Sequence, residues 1–214
     1  MLRYISIYWT LLPILTGLFF IRKLAFEYRL VLCLLIYGFF TDMIVGNARV
    51  SEPLRYFLFN FFHLFESIML TWVLIYLGKT ERLKMIGKFL LFFFPVFWLI
   101  THSELLSPGS DIKKISPLFS ASYNMILAVL FGFLTIKFAE KTVELFSNSM
   151  FWFLLAIFLN CFCVFFIFSL LTTSFIREIW FVQSSLNILV YTMFTTAFIL
   201  EAKRQGSTLQ IKQE

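Results

Sequence analysis

Seven apolar runs, each bounded by charged or turn-forming residues, divide this sequence: Tyr4–Ile21, Leu30–Ala48, Leu54–Leu77, Met85–Thr101, Ile115–Ile136, Met150–Thr172 and Ile179–Ala202. A helix rises ~1.5 Å per residue, so about 20 residues cross the ~30 Å hydrocarbon layer of a bilayer. In that layer every backbone N–H and C=O must find its partner inside the protein, which leaves helices or closed barrels. The runs are continuous rather than alternating with period two, so they read as helices. The expected fold is all-α: a polytopic membrane bundle of seven transmembrane helices over residues 1–202, followed by a short, frayed cytoplasmic tail at 203–214.

Composition agrees, with 60% hydrophobic and 14% charged residues against about a quarter charged in soluble domains. The net charge of +6 does not point to nucleic acid, because no basic cluster exceeds a pair. The positive residues instead act as topology signals. Arg3, Arg49, Arg55, Lys113, Lys114 and Arg177 fall on one side of the seven-run plan, and the other 12 of the 18 Lys and Arg fall on the opposite side. The richer side is cytoplasmic, which places the amino terminus outside and the carboxyl terminus inside. The first run is read as an uncleaved helix, since no small-x-small site follows it and Arg22 and Lys23 come next. Tyr4, Tyr8, Trp9, Trp72, Tyr76, Trp152 and Trp180 sit near run ends, as interfacial rings do. Pro13 and Pro95 lie within runs and are expected to kink them, whereas Pro53, Pro108 and Pro117 mark boundaries. Cys33, Cys161 and Cys163 all lie in apolar runs and read as packing residues.

The third run contains NFFHLFESIMLTW, with His63 and Glu66 three residues apart in an otherwise apolar setting. At about 100° per residue, Tyr56, Asn60, His63, Ser67 and Thr71 form one stripe, with Glu66 flanking His63. Entering at Pro53, His63 lies ~15 Å deep, near the midplane. Other runs carry matching groups: Asp42 and Asn47 in the second, Ser120, Tyr123 and Asn124 in the fifth, Asn160 in the sixth, and Gln183, Ser184, Asn187 and Tyr191 in the seventh. The fourth run is almost wholly apolar and reads as peripheral. The polar groups thus gather between the midplane and the outer face, as a pocket open to the outside requires.

A single amide between membrane helices is ordinarily packing glue, at about 0.6 kcal/mol per hydrogen bond. An ionisable group at the bilayer centre costs at least about 2.5 kcal/mol, so Glu66 and Asp42 must be paired, protonated or hydrated. The His63–Glu66 pair therefore reads as a ligand or proton site. The full set of ligand-binding or proton-relay candidates is Asn60, His63, Glu66, Asp42, Asn124, Asn160, Gln183 and Asn187. His102, in THSE, reads as a solvated loop residue.

No catalytic residue, cofactor or metal is expected. Seven-helix zinc hydrolases such as ceramidases use several histidines, and this chain has 2. A retinal protein needs a lysine in the seventh run, and Lys203 lies beyond it. No nucleophile elbow or phosphate-binding glycine loop occurs. The apolar fourth run resembles the linker of sugar-exporting SWEET proteins, with their three-plus-one-plus-three plan, which would imply a small-solute or proton-coupled transporter.

FWFLLAIFLNCFCVFFIFSL and IREIWFVQSSLNILVYTMFTTAFI resemble the closing helices of small bacterial seven-helix membrane proteins, and NFFHLFESIML resembles their third helix. Some of these stand before histidine kinases as sensor modules. The resemblance implies a sensor-like or accessory module that takes a small-molecule ligand from the outer side. It would signal through a partner protein or a homo-oligomer, with the lipid bilayer as its other contact. A transporter is the alternative and a membrane-embedded hydrolase the third reading.

Overall fold

The computed structural model describes residues 2–46, 50–103, 117–170 and 176–211. Among them are eight α-helices, one 3-10 turn and no strand: α1 (Leu2–Trp9), α2 (Leu11–Phe19), α3 (Phe26–Val45), α4 (Glu52–Leu77), α5 (Glu81–Thr101), α6 (Pro117–Ala139), α7 (Ser149–Leu170) and α8 (Ile176–Ile211). Six helices are long and apolar enough to cross a membrane, within α3 to α8, and Ile5–Phe19 forms a shorter apolar piece.

The first run is broken at Thr10 because of Pro13, which has no N–H to offer the Trp9 carbonyl four residues back and whose ring crowds that carbonyl. Pro95 lacks the same bond to Leu91, yet α5 continues through it. Pro53 opens α4 and Pro117 opens α6, positions where the missing N–H has no intrahelical partner to lose. The Thr80 hydroxyl caps α5 by accepting from the Leu83 N–H at 3.3 Å. α8 runs unbroken to Ile211, ~54 Å in all, so the residues expected as a frayed tail continue its helix as far as 211.

The helices form a ring in which α1 and α2 pack on α8, α8 on α7, α7 on α6, α6 on α4, α4 on α3, and α3 back on α2. α5 lies outside the ring against α4 and α6, as its apolar sequence implies. Close approach is made at Gly17, where a Cβ would fall 2.6 Å from Leu32, and at Gly87, where one would collide with Ile75 across the α4–α5 contact. The interior is aromatic and aliphatic, with Tyr28, Phe94, Phe119, Tyr123, Phe131, Phe153 and Phe198 fully buried. Outward faces are as apolar as the core: Phe89, Phe92, Leu99 and Ile100 on α5, and Met125, Val129, Phe133 and Ile136 on α6, are exposed. A surface of that extent belongs in lipid. Of the interfacial rings, Tyr8, Trp9, Trp72 and Tyr76 are exposed, and Trp9 Nε1 donates to Thr192 Oγ1 at 3.1 Å, joining α1 to α8. Asn47, Pro108 and the side chains of Tyr4 and Trp180 lie outside the described residues.

Candidate functional site

The polar stripe of α4 turns inward: Asn60, His63, Glu66, Ser67 and Thr71 are all buried. Ser67 and Thr71 satisfy themselves on their own helix, donating to Leu64 O at 2.8 Å and Ser67 O at 2.6 Å. Glu66 instead reaches across the bundle. Tyr123 of α6 donates its phenolic proton to Glu66 Oε2 at 2.5 Å, and Asn160 of α7 donates Nδ2 to Glu66 Oε1 at 3.3 Å. His63 Nδ1 lies 2.7 Å from the Tyr123 hydroxyl and 3.4 Å from Glu66 Oε2.

This geometry couples the histidine tautomer to the charge on Glu66. With Glu66 ionised, the Tyr123 proton goes to the carboxylate and Nδ1 donates its own proton to the Tyr123 oxygen; with the carboxyl protonated, the donors run the other way and Nδ1 accepts. In the first arrangement Nε2 is a bare acceptor, and in either it is buried with no hydrogen-bond partner among the described residues. Rings enclose it: Phe59 at 4.6 Å, Phe168 at 5.1 Å and Phe62 at 5.6 Å, centroid to centroid.

Beside this cluster is a cavity of about 170 Å³ among α3, α4, α7 and α8. Its polar lining includes His63, Glu66, Asn160, Gln183, Asn187 and Asp42, and its walls include Phe39, Phe59, Phe62, Phe168 and Phe194. The polar lining comes from Thr10, the carboxyl-terminal half of α3, the middle of α4, the second half of α7 and the first half of α8. Val31, Leu34 and Leu35 of α3, Leu70 of α4 and Ile157 of α7 lie in the opposite halves of their helices. Because these helices alternate in direction, the polar lining lies toward one end of the bundle and the apolar wall continues past its middle. Below, Tyr28, Phe153 and Phe198 pack together, with the Tyr28 and Phe153 rings 4.2 Å apart.

Two of the eight candidates stand elsewhere. Asn60 does not line the cavity; its carbonyl accepts from Trp98 Nε1 at 3.1 Å and ties α4 to α5. Asn124 is buried off the cavity and donates to Ser120 O on its own helix at 2.8 Å. Its neighbour Tyr123 is the α6 residue that joins the cluster. The sequence signal for it is the stripe Phe119, Tyr123, Leu127 at spacing four, all buried. Among the described residues no group of three His, Cys, Asp or Glu could hold a metal ion. Cys161 is buried and Cys33 lies on an exposed face.

His102 corrects an expectation: it is 4% exposed rather than solvated. It stacks on Trp98 with centroids 4.7 Å apart, and its Nδ1 lies 2.9 Å from Trp98 O. Burial pushes its pKa below the ordinary histidine value, opposed by the bond to the Trp98 carbonyl. The unfolded chain therefore takes up this proton first, so stability begins to fall below about pH 6.5 and goes on falling through the lower folded value. Lowering the pH from 7.5 to 5.5 is expected to reduce the melting temperature of the wild-type protein in detergent more than that of His102→Gln. Equal reductions would remove His102 from the account.

A second buried polar cluster, absent from the sequence reading, closes the opposite end. Glu201 of α8 is fully buried and accepts from Ser149 Oγ at 2.8 Å, Arg204 at 2.8 and 3.1 Å and Gln205 Nε2 at 3.1 Å. Tyr28 donates to Ser149 at 3.2 Å, which brings α3, α7 and α8 together. No protein-family model, no curated protein and no solved structure matches this chain.

Proposed function

We propose that the chain is a sensor-like or accessory module of a bacterial inner membrane, with an outward-facing pocket whose occupancy or protonation is read by a partner protein. The observation that carries this is the linkage at Glu66. One carboxylate lining the cavity is bonded to Tyr123 on α6 and Asn160 on α7 while it sits on α4. A change of charge or bonding there acts on three helices at once, which is how a local event becomes a shift in helix packing. The polar lining gathers toward one end of the bundle while Tyr28, Phe153 and Phe198 pack at the other, and this favours a receptor over a through-path.

The same reading takes the membrane topology as seven spans with the amino terminus outside. α1 and α2 together run from Leu2 to Phe19, ~27 Å of helix, close to a bilayer's core. The division of Lys and Arg supports the orientation of the six long helices, and the length of Leu2–Phe19 supports the seventh span. The cavity then faces out, and the Glu201 end and the basic loops face the cytoplasm, where a partner would dock.

The test is extraction from native membranes in a mild detergent, with mass spectrometry of what co-purifies. A stoichiometric partner whose association weakens in Glu66→Gln is the expected result. A solitary protein that carries solute across liposomes by itself would overturn it in favour of transport.

A further inference from the structure

We propose that the cavity takes a small amphipathic organic cation: a protonated amine on a compact apolar body about the size of one aromatic ring. The proposal deepens the pocket reading above and rests on it, but not on the existence of a partner.

Size comes first. A cavity of about 150 Å³ lined by apolar side chains holds benzene, so 170 Å³ admits one ring with a short polar substituent. Walls of phenylalanine and aliphatic side chains match such a body.

Hydrogen-bond inventory sets the polar end. Two buried lining atoms have no partner among the described residues, His63 Nε2 and Gln183 Oε1. Both are acceptors when Glu66 is ionised: the amide oxygen by nature, and Nε2 because Nδ1 then donates its proton to Tyr123. An ammonium group is the complement, since it has three donors and no acceptor. A purely apolar guest would leave both acceptors unpaired, and a carboxylate would add a third.

Charge agrees with the inventory. The acidic side chains lining the cavity are Asp42 and Glu66, and no lysine or arginine among the described residues lines it. An anion would meet like charge, whereas a cation meets opposite charge and the faces of Phe59, Phe62 and Phe168.

The experiment uses the full chain in nanodiscs and measures calorimetric binding of three probes of one shape: benzylammonium, benzyl alcohol and benzoate. Saturable binding of benzylammonium, at least about tenfold tighter than benzyl alcohol and with benzoate silent, is expected; tenfold corresponds to ~1.4 kcal/mol. Glu66→Gln and Gln183→Leu should each weaken the amine at least tenfold and leave benzyl alcohol nearly unchanged. Thermal unfolding of each variant identifies any that fails to fold, and the other then carries the comparison. Equal affinity for amine and alcohol, tighter binding of benzoate, amine binding unaltered in the folded variants, or no binding of any probe would each overturn the proposal. Loss of amine binding with a stoichiometric partner still present removes the cation and keeps the module. Amine binding by a solitary protein removes the module and keeps the cation.

Discussion

Replacing Tyr123 by Phe is expected to destabilise the bundle by about 2 kcal/mol while Glu66→Gln costs less than half as much. Only an oxygen atom is lost in the first change, and no cavity follows from it. The effect comes from what that oxygen joins. Tyr123 is fully buried and joins His63 Nδ1 to Glu66 Oε2, so its removal leaves that nitrogen and that oxygen only their long mutual contact of 3.4 Å. A buried group left unpaired costs ~1–3 kcal/mol, whereas the average interhelical bond in a membrane is worth only ~0.6 because the separated helices find other partners. The middle of the first range applies here because a carboxylate loses its shortest bond but keeps the one from Asn160. Glu66→Gln keeps an oxygen that can accept from Tyr123 and removes a charge that is costly to bury. Thermal unfolding in one detergent, with both variants beside wild type, checks the order. If Tyr123→Phe fell within ~0.5 kcal/mol of wild type, another group would have to be satisfying His63 and Glu66.

Much of this arrangement is legible in the sequence, and the parts that are not have identifiable reasons. Continuous apolar runs between charged links specify membrane helices, and the inward stripe of α4 follows from helical period because its polar residues contrast sharply with Phe and Leu. In α6 that contrast is missing. Tyr123 and Asn124 are adjacent, both polar and both buried, and only the packing of Phe119 and Leu127 decides which one meets Glu66. Asn60 falls on the predicted stripe yet lies off the cavity, since a face of a helix also includes its contacts with the outer helix α5. His102 looked like loop chemistry because its neighbours are Thr, Ser and Glu, but stacking on Trp98, one helical turn back, buries it. Glu201 stands beside Lys203 and Arg204 and has the spacing of a solvated surface pair. Its burial depends on Tyr28 and Ser149, which lie far away in the chain and which no local pattern links to it.

That cluster supplies the other large effect: Arg204→Ala should cost about 2 kcal/mol and Glu201→Gln clearly less, although both break the same ion pair. The Glu201 side chain is 0% exposed and that of Arg204 61% exposed, so the two residues have different alternatives. Freed of its partner, an arginine at the surface simply hydrates. A carboxylate held inside by Ser149 and Gln205 cannot, and Glu27, another buried carboxylate at this end of the bundle, raises the cost by repulsion. Removing one member of a buried pair costs ~3–5 kcal/mol when both are enclosed. The exposure of Arg204 and the two remaining donors bring the figure down to the value given. Combining Arg204→Ala with Glu201→Gln should restore most of the lost stability, because the amide no longer needs a counter-charge. Thermal unfolding of the two single variants and the double variant completes the cycle. Strictly additive losses would mean that the two residues do not act as a pair. Recovery in the double variant would establish that the buried charge, rather than the contact itself, is what Arg204 holds in place where α3, α7 and α8 meet.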